Sequence, residues 1–286
     1  MTAWWAARAV VEGTVRERVL LEADGGVITH VSTGVEAPAG AEVLSGAVIP
    51  GAVNAHSHAF HRVLRSRTHR GRDSFWSWRD QMYAAAARLD PEDYYGLARA
   101  VFAEMLEAGY TAVGEFHYLH HGPGGAAYDD PNAMSHALAS AANDAGIRLV
   151  LLDTLYLAAG PGREPDATQV RFSDGAAERW AERTAGLAPA GLVSHGLAVH
   201  SVRADGRTPI QLLADAGALG GNFTAVHATH LTTGDVESLG GSHVCVCATT
   251  ERDLADGIGP IPALRDAGVL LCLGSDSHAV IDPFEE

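Results

Sequence analysis

The stretch AVIPGAVNAHSHAF at residues 47–60 leads an apolar strand directly into two histidines, His56 and His58. Side chains two positions apart in a strand point to the same face, so the two imidazoles emerge side by side from a rigid element. That arrangement suits a divalent metal ion. In a chain with 15 histidines such a pair also arises by chance, and an ordinary surface or core role is the alternative. The rest of the sequence has to decide between them.

Length and composition indicate an enzyme-sized globular chain. With 286 residues, 47% of them hydrophobic, it can bury a large core, and α/β barrels of about this size often form one domain. The formal net charge of -15 argues against a nucleic-acid partner, which would need a basic face. No apolar stretch approaches the roughly 20 residues that span a bilayer, and the N-terminus lacks a signal-peptide pattern. We therefore expect no membrane partner and a cytoplasmic location.

Two patterns divide the chain. Residues 1–48 contain short alternating runs separated by glycine turns, which predict a small β-domain. Residues 49–286 alternate helical and strand patterns instead, as where the helix LARAVFAEMLEAG is followed by the strand YTAVGEFHY. This alternation predicts parallel β/α units, arranged either as a doubly wound sheet or as a barrel.

The polar residues favour the barrel, because they collect where apolar strands end. A TIM barrel brings the carboxyl ends of all its strands to one rim, where its active sites lie. A single polar strand end is usually a solvated loop, but a succession of them is difficult to explain that way. Besides the opening histidine pair, the strand ends carry His117 and Tyr118, His200 and Arg203, His227, and Asp276 with His278.

Several of these motifs together resemble a known family. The runs PGAVNAHSHAF, VHATHL and GSDSH are similar to the amidohydrolase superfamily. Within it, HSHAFHRVLR, DSFWSWRDQMY and AVHSVR resemble the formimidoylglutamate deiminases, and generic amidohydrolases do not share the last two. The resemblance covers nearly the whole chain, and it implies a TIM-like (β/α) barrel preceded by the small β-domain.

The resemblance also implies roles for individual residues. His56, His58 and Asp276 match the ligands of one divalent metal, expected to be Zn²⁺, and Asp276 and His227 match the catalytic groups. The implied reaction is hydrolysis of N-formimidoyl-L-glutamate, a dicarboxylate amidine, to N-formyl-L-glutamate and ammonia in histidine degradation. Arginine suits a carboxylate because its guanidinium binds through a two-pronged fork. The implied substrate-binding residues are His61, Arg79, Tyr118, His200 and Arg203.

The chain departs from this family between Arg203 and His227. Members carry a further barrel strand there with a His-x-x-Glu element, whose histidine binds zinc and whose glutamate moves protons. Here the sequence runs ADGRTPIQLLADAGALGGNFTAVHATH, which holds one helix from Pro209 to about Ala218. A helix, a strand and a second helix would need roughly 30 residues or more. We therefore expect a barrel without its fifth strand and an impaired hydrolase.

A second departure is that the sequence stops at Glu286, about ten residues after Asp276, whereas family members continue. We expect an incomplete barrel to expose apolar surface and strand edges, which favours association, so a homodimer is one expected state. Two alternative functions stay open. One is another amidohydrolase, such as a ring deaminase or a chlorohydrolase, and the other is a non-catalytic remnant that binds a ligand or a partner chain.

Overall fold

The computed structural model describes residues 1–67, 75–160, 162–200 and 207–278. The chain divides into two compact units, Met1–Gly51 and Ala52–Glu286. Within the described part, no helix is both long enough and apolar enough to cross a membrane.

The first unit is a four-stranded β-sheet. Strands β1 and β2 are antiparallel and are joined by a tight turn at Glu12 and Gly13, both of which have positive φ. The buried side of this sheet includes Ala6, Ala9 and Val19. The strands are β1 (Thr2–Val11), β2 (Thr14–Asp24), β3 (Val27–Ser32) and β4 (Glu42–Val48), in the order β3-β2-β1-β4.

The second unit alternates strands and helices along the chain, as the hydrophobic pattern predicts. Its strands are β5 (Ala52–Ser57), β6 (Tyr110–His117), β7 (Arg148–Leu155), β8 (Val193–Val199), β9 (Thr224–Val226), β10 (His243–Val246) and β11 (Leu270–Leu273). Its helices are α1 (Phe75–Ala86), α2 (Pro91–Glu107), α3 (Ala133–Ala145), α4 (Ala177–Thr184), α5 (Pro209–Asp215), α6 (Thr233–Ser238), α7 (Ala248–Leu254) and α8 (Ile261–Asp266).

The step from α2 to β6 shows how the sequence sets these elements. The side chain of Asp90 accepts a hydrogen bond from the backbone N–H of Asp93, and Pro91 occupies the first helical turn, so α2 begins there. Five buried residues on one face of α2 pack into the core. Gly109 has a φ of 90°, which ends the helix and turns the chain into β6.

The strands of the second unit form two parallel sheets, β5-β6-β7-β8 and β11-β10-β9. We call them the first and second halves of the barrel. The halves meet where Ser57 forms a parallel bridge with Asp276. The backbone N–H of Asp276 donates to the carbonyl of His56 at 2.9 Å, and the N–H of His58 donates to the carbonyl of Asp276 at 3.0 Å. This junction, which we call the seam, closes one side of the barrel.

The other side of the barrel is open among the described residues. Strand β8 is the outer strand of the first half, and β9 is the outer strand of the second. Between them, residues 200 and 207–223 contain α5 and no strand. Leu197 on β8 is accordingly 66% exposed. The predicted TIM-like barrel without a fifth strand is thereby confirmed, and α5 is the single helix that the short interval allows.

Each half has its own apolar core. In the first half, Phe102 of α2, Leu138 of α3 and Leu149 of β7 belong to one fully buried cluster. In the second half, a smaller cluster contains Val244 of β10 and Leu264 of α8. Burying a large aliphatic or aromatic side chain contributes about 1.5–3 kcal/mol, so each half is stabilised mainly by its own contacts.

Candidate metal centre

The two histidines at the end of β5 lie in the positions that strand alternation predicts. His56 and His58 are buried, and their ring centroids are 4.8 Å apart with the planes at 88°. Phe116 of β6 packs edge-on against both rings and closes the apolar side of the site. The two imidazoles are therefore fixed next to each other rather than exposed to solvent.

Asp276 completes this group from the residues that follow β11. The seam hydrogen bonds hold its backbone, and its φ of 50° lies in the left-handed region. Its Oδ1 atom is 3.3 Å from Nε2 of His56 and 3.2 Å from Nε2 of His58. Two ligands at tetrahedral positions around a zinc ion, with bonds of about 2.0–2.1 Å, lie about 3.3 Å apart. We call His56, His58 and Asp276 the rim cluster; its spacing fits a tetrahedral metal.

The protonation of the rim cluster also fits a metal. Nδ1 of His58 faces the carbonyl oxygen of Phe116 at 3.0 Å, so this nitrogen carries the ring proton. In the neutral ring, Nε2 then directs a lone pair at the carboxylate, and a cation between the two removes the repulsion. Burial lowers the pKa of His56 to about 4. Burial alone would raise the pKa of Asp276, but in the metal-free chain a hydrogen bond from the His56 imidazole holds that pKa well below the usual range.

His227 lies beside the rim cluster at the end of β9. Its Nε2 is 4.0 Å from Oδ2 of Asp276, and its Nδ1 is 3.3 Å from Oε1 of Glu251. The backbone N–H of Cys247 donates to the same Oε1 at 2.9 Å and fixes the glutamate. Burial would lower the pKa of His227, but the hydrogen bond with Glu251 and the nearby Asp276 raise it. The His227 side chain is 34% exposed, so it faces the open side of the site.

A wall of aromatic and polar side chains continues from His58. Nε2 of His61 is 2.9 Å from the hydroxyl of Tyr118, and both rings lie within 5.3 Å of the His58 ring. The His200 ring is 6.3 Å from that of Tyr118 and stacks on Tyr156 at 4.2 Å. The structure thus brings three of the predicted substrate-binding residues together: His61, Tyr118 and His200.

The two predicted carboxylate-binding arginines differ in what the structure describes. Arg79 lies on α1 with its guanidinium carbon 5.5 Å from the ring centroid of Tyr83. Tyr83 in turn accepts a hydrogen bond from Gln169, which also donates to Tyr156 at 2.8 Å. Gln169 therefore links the tyrosine beside Arg79 with the tyrosine beneath His200. Arg203 lies outside the described residues.

Sequence reasoning missed the polar network behind β5. Ser57 points away from the two histidine rings and donates to Glu115 at 2.6 Å, and its Oγ is 2.9 Å from Nε2 of His278. The backbone N–H of Ala59 also donates to Glu115 at 2.6 Å. Burial raises the pKa of Glu115 to about 8 despite these bonds. The sequence does contain a signal for this network, because Glu115 is the single carboxylate within the apolar run of β6.

Comparison with known proteins identifies the family. The amidohydrolase family pattern matches residues 47–202. The chain is 37% identical to the formimidoylglutamate deiminase of Pseudomonas aeruginosa, over all of this chain and 73% of that protein. The chain belongs to the amidohydrolase family. The alignment with the deiminase spans 333 positions, more than the 286 residues of this chain, so this amidohydrolase lacks internal residues that the relative has.

Solved structures support the same assignment. An amidohydrolase from Brucella melitensis superimposes with a TM-score of 0.89 at 30% identity, over 98% of this amidohydrolase and 72% of that chain. An atrazine chlorohydrolase from Arthrobacter aurescens TC1, solved with zinc, superimposes with a TM-score of 0.80 at 19% identity, over 98% and 73% of the two chains. The second likeness shows the fold alone. The family membership and the geometry of the rim cluster together indicate a hydrolytic enzyme with a divalent metal.

Proposed function

We propose that this amidohydrolase hydrolyses the amidine C–N bond of N-formimidoyl-L-glutamate, giving N-formyl-L-glutamate and ammonia. The observation that carries the proposal is the position of Oδ1 of Asp276, which lies 3.3 Å from Nε2 of His56 and 3.2 Å from Nε2 of His58, beside His227. The 37% identity with a formimidoylglutamate deiminase supports the choice of substrate. The cytoplasmic location and the homodimer stay predictions.

We assign the rim cluster as the ligands of Zn²⁺. Neutral imidazoles and an ionised carboxylate are the ligand types that zinc takes in catalytic sites, and three protein ligands leave a position open. When bound, the metal supplies a Lewis acid that activates water and polarises the substrate C=N group. His58 is oriented for this by the Phe116 carbonyl, and Asp276 by the seam.

The substrate is bound, in this proposal, along the wall that starts at His61 and Tyr118. Both rings are buried, so their hydroxyl and imidazole groups can orient the formimino group without competition from bulk water. His200, held against Tyr156, contributes a further polar contact. Arg79 and Arg203 take the two carboxylates, since a guanidinium fork matches a carboxylate in shape and charge.

Proton transfer rests on Asp276 and His227. His227 is positioned by Glu251, and the raised pKa favours an imidazolium that can give a proton to departing ammonia. The described residues between β8 and β9 supply no strand that could carry a dedicated glutamate. Loss of an acid–base group typically lowers the rate by about 10²- to 10⁴-fold. We therefore propose a slow enzyme rather than a fully active one.

The direct test is ammonia release from N-formimidoyl-L-glutamate by the zinc-loaded chain, with His56→Ala as the matched control. We expect slow turnover that the control abolishes. Turnover near the common enzyme median of about 10 per second would contradict the proposed impairment. Equal, background-level rates for both proteins, together with failure to retain zinc, would favour the non-catalytic remnant.

A second test separates this substrate from a neutral ring, the substrate type of the alternative deaminase or chlorohydrolase. Arg203→Ala should weaken substrate affinity strongly if the arginine binds a carboxylate. Affinity unchanged by the substitution would instead favour the ring. Arg207→Ala is the control, because Arg207 forms an exposed ion pair with Asp215 on α5.

A further inference from the structure

A second group of ligand-type side chains lies on the opposite face of the sheet. His117, His120 and Asp153, which we call the helix-side cluster, each place one ligand atom within 4.8 Å of the other two. His117 ends β6 and is the register partner of Asp153 on β7. Phe116 packs against the rim cluster, so strand alternation directs the next residue, His117, away from it.

Contacts from the surrounding helices confirm this position. Tyr94 of α2 stacks on the His117 ring, with centroids 5.8 Å apart. Ser135 of α3 and Arg183 of α4 both reach Asp153. The helix-side cluster therefore lies between the sheet of the first half and its covering helices, and all its members are at most 1% exposed.

The two histidine pairs have nearly the same geometry. The ring centroids of His117 and His120 are 5.1 Å apart with the planes at 85°, against 4.8 Å and 88° for His56 and His58. Nε2 of His120 is 3.7 Å from Oδ1 of Asp153. Because that nitrogen also faces the Thr154 carbonyl oxygen at 2.9 Å, this distance shows only that the His120 ring lies beside the carboxylate.

Two imidazole nitrogens of the helix-side cluster have no hydrogen-bond partner although they are buried: Nε2 of His117 and Nδ1 of His120. The other nitrogen of each ring is engaged. Nδ1 of His117 is 3.4 Å from the Tyr94 hydroxyl, and Nε2 of His120 is 2.9 Å from the Thr154 carbonyl oxygen. Metal-binding histidines commonly hold one nitrogen in this way and leave the other for the metal. Buried polar atoms without a partner are rare, and each one either binds a ligand or lowers stability.

Oδ2 of Asp153 has capacity for one more partner, because its only contact besides Arg183 is the long one from Ser135. A carboxylate offers about four lone-pair positions. Arg183 donates to both oxygens, at 2.9 and 2.8 Å, and the indole N–H of Trp180 donates to Oδ1 at 2.9 Å. The remaining contact, from Ser135, is long at 3.4 Å. The arginine and the indole orient the carboxylate, as outer partners of a metal ligand do.

Charge and protonation are also compatible with a cation. Asp174 accepts hydrogen bonds from Arg183 and lies 3.0 Å from Nε2 of His121, so with a neutral His121 the two carboxylates Asp153 and Asp174 outweigh the guanidinium by one negative charge. Burial lowers the pKa of His117 well below the usual range and that of His120 to about 4, so both rings are neutral near pH 7. Burial opposes ionisation of Asp153, but the ion pair with Arg183 outweighs it and lowers its pKa.

We propose that His117, His120 and Asp153 form a second, structural site for a divalent transition-metal ion of the zinc type. The ligand set of two imidazoles and one carboxylate suits zinc and its neighbours and not calcium or magnesium. Because the site is closed to solvent and lies away from the aromatic wall, its ion ties β6 to β7 and takes no part in substrate chemistry. This goes beyond the proposed hydrolysis and does not depend on it.

The experiment is zinc counting on the full chain. Protein produced with zinc is dialysed against metal-free buffer, and its zinc content is measured by mass spectrometry. We expect two zinc ions per wild-type chain, one in His120→Gln, one in His56→Gln and none in the double variant. His136→Gln, at an exposed position on α3, is the matched control and should keep both. One zinc ion in wild type, lost in His56→Gln and kept in His120→Gln, would overturn the second site.

A second variant covers the case in which His120→Gln does not fold. His120→Cys keeps a ligand, and cobalt loaded in place of zinc should then show a thiolate-to-cobalt absorption band that His56→Cys shows separately. Folding of each variant is checked by circular dichroism. A folded, cobalt-loaded His120→Cys protein without this band would contradict the proposal, whatever activity the chain has.

Discussion

The rim cluster and the helix-side cluster have the same ligand types and nearly the same imidazole geometry, but their carboxylates are in different electrostatic environments. Asp276 contacts imidazoles, whereas Asp153 already forms a two-pronged ion pair with Arg183. A metal at the rim would supply the positive charge that its carboxylate lacks. In the helix-side cluster, a metal would bind next to the positive charge of Arg183, which already pairs with the carboxylate. The two clusters are therefore expected to differ in affinity although their ring geometry is similar, and we expect the rim to bind zinc more tightly.

The largest expected effect is on the free energy of unfolding, which should depend much more on Asp153 than on Asp276. Asp153→Ala leaves the buried Arg183 with one of its two carboxylate partners removed, and breaking a buried ion pair costs about 3–5 kcal/mol. We expect the free energy of unfolding, measured with urea, to fall by that amount in metal-free protein. Asp276→Ala should change it far less, because no arginine depends on Asp276. Equal losses would mean that the two carboxylates have equivalent roles in stability.

The next prediction concerns zinc affinity at the rim, for which Asp276 is expected to matter and Asp153 is not. Asp276→Asn removes the charge of the carboxylate that we propose as a rim ligand, and even outer partners of a metal ligand are worth about 10- to 100-fold in affinity. We expect zinc affinity at the rim, measured by competition with a chelator, to fall by more than about 100-fold. Asp153→Asn should leave rim affinity unchanged. A fall of less than about tenfold for Asp276→Asn would show that Asp276 is no ligand.

Gly274 offers a smaller and more local change at the rim. A Cβ atom at this position would lie 2.8 Å from the Cβ of His56 and 2.8 Å from Sγ of Cys245. Overpacking of this kind costs about 1–3 kcal/mol, and relaxation would move His56. We expect Gly274→Ala to lower both thermal stability and zinc affinity at the rim. Gly46→Ala has open space around its Cβ and is the control.

The most gradual effect is that of acid, which is spread over more than two pH units. The pKa of His120 is about 4 in the folded chain and near 6.5 when unfolded, so the unfolded chain binds more protons between these values. Stability from this group is complete above pH 6.5 and falls by about 1.4 kcal/mol per unit as pH drops toward about 4. His120→Gln should flatten the dependence of urea unfolding on pH in metal-free protein. His56→Gln should flatten it similarly, because burial lowers the pKa of His56 to about 4 as well. Unequal slopes would show that burial acts differently on the two rings.

The sequence predicts the rim and the barrel because each has a local pattern. His56 and His58 follow an apolar strand at a spacing of two, and Asp276 follows another. The interval between Arg203 and His227 is too short for a strand and two helices, and length alone predicts the gap. The described residues there contain α5 and no strand, in agreement with that prediction.

The helix-side cluster and the supporting contacts could not be predicted in this way. Asp153 lies inside the apolar run LVLLDTLY, and only the pairing of β6 with β7 brings it beside His117. Glu251 reaches His227 from a separate helix, and Tyr156 meets His200 across neighbouring strands. These neighbours depend on register and on helix packing, which a single sequence does not specify.

The seam between the two halves of the barrel would give a bound metal ion a role in stability. Because β8 and β9 have no strand between them among the described residues, closure depends on the side where Ser57 pairs with Asp276. His56 and His58 belong to one half and Asp276 to the other. An ion bound by all three residues would therefore link the two halves. A ligand at about 100 times its dissociation constant stabilises the form that binds it by about 2.7 kcal/mol. Metal occupancy of the rim cluster would then decide whether the two halves stay joined, independently of any catalysis.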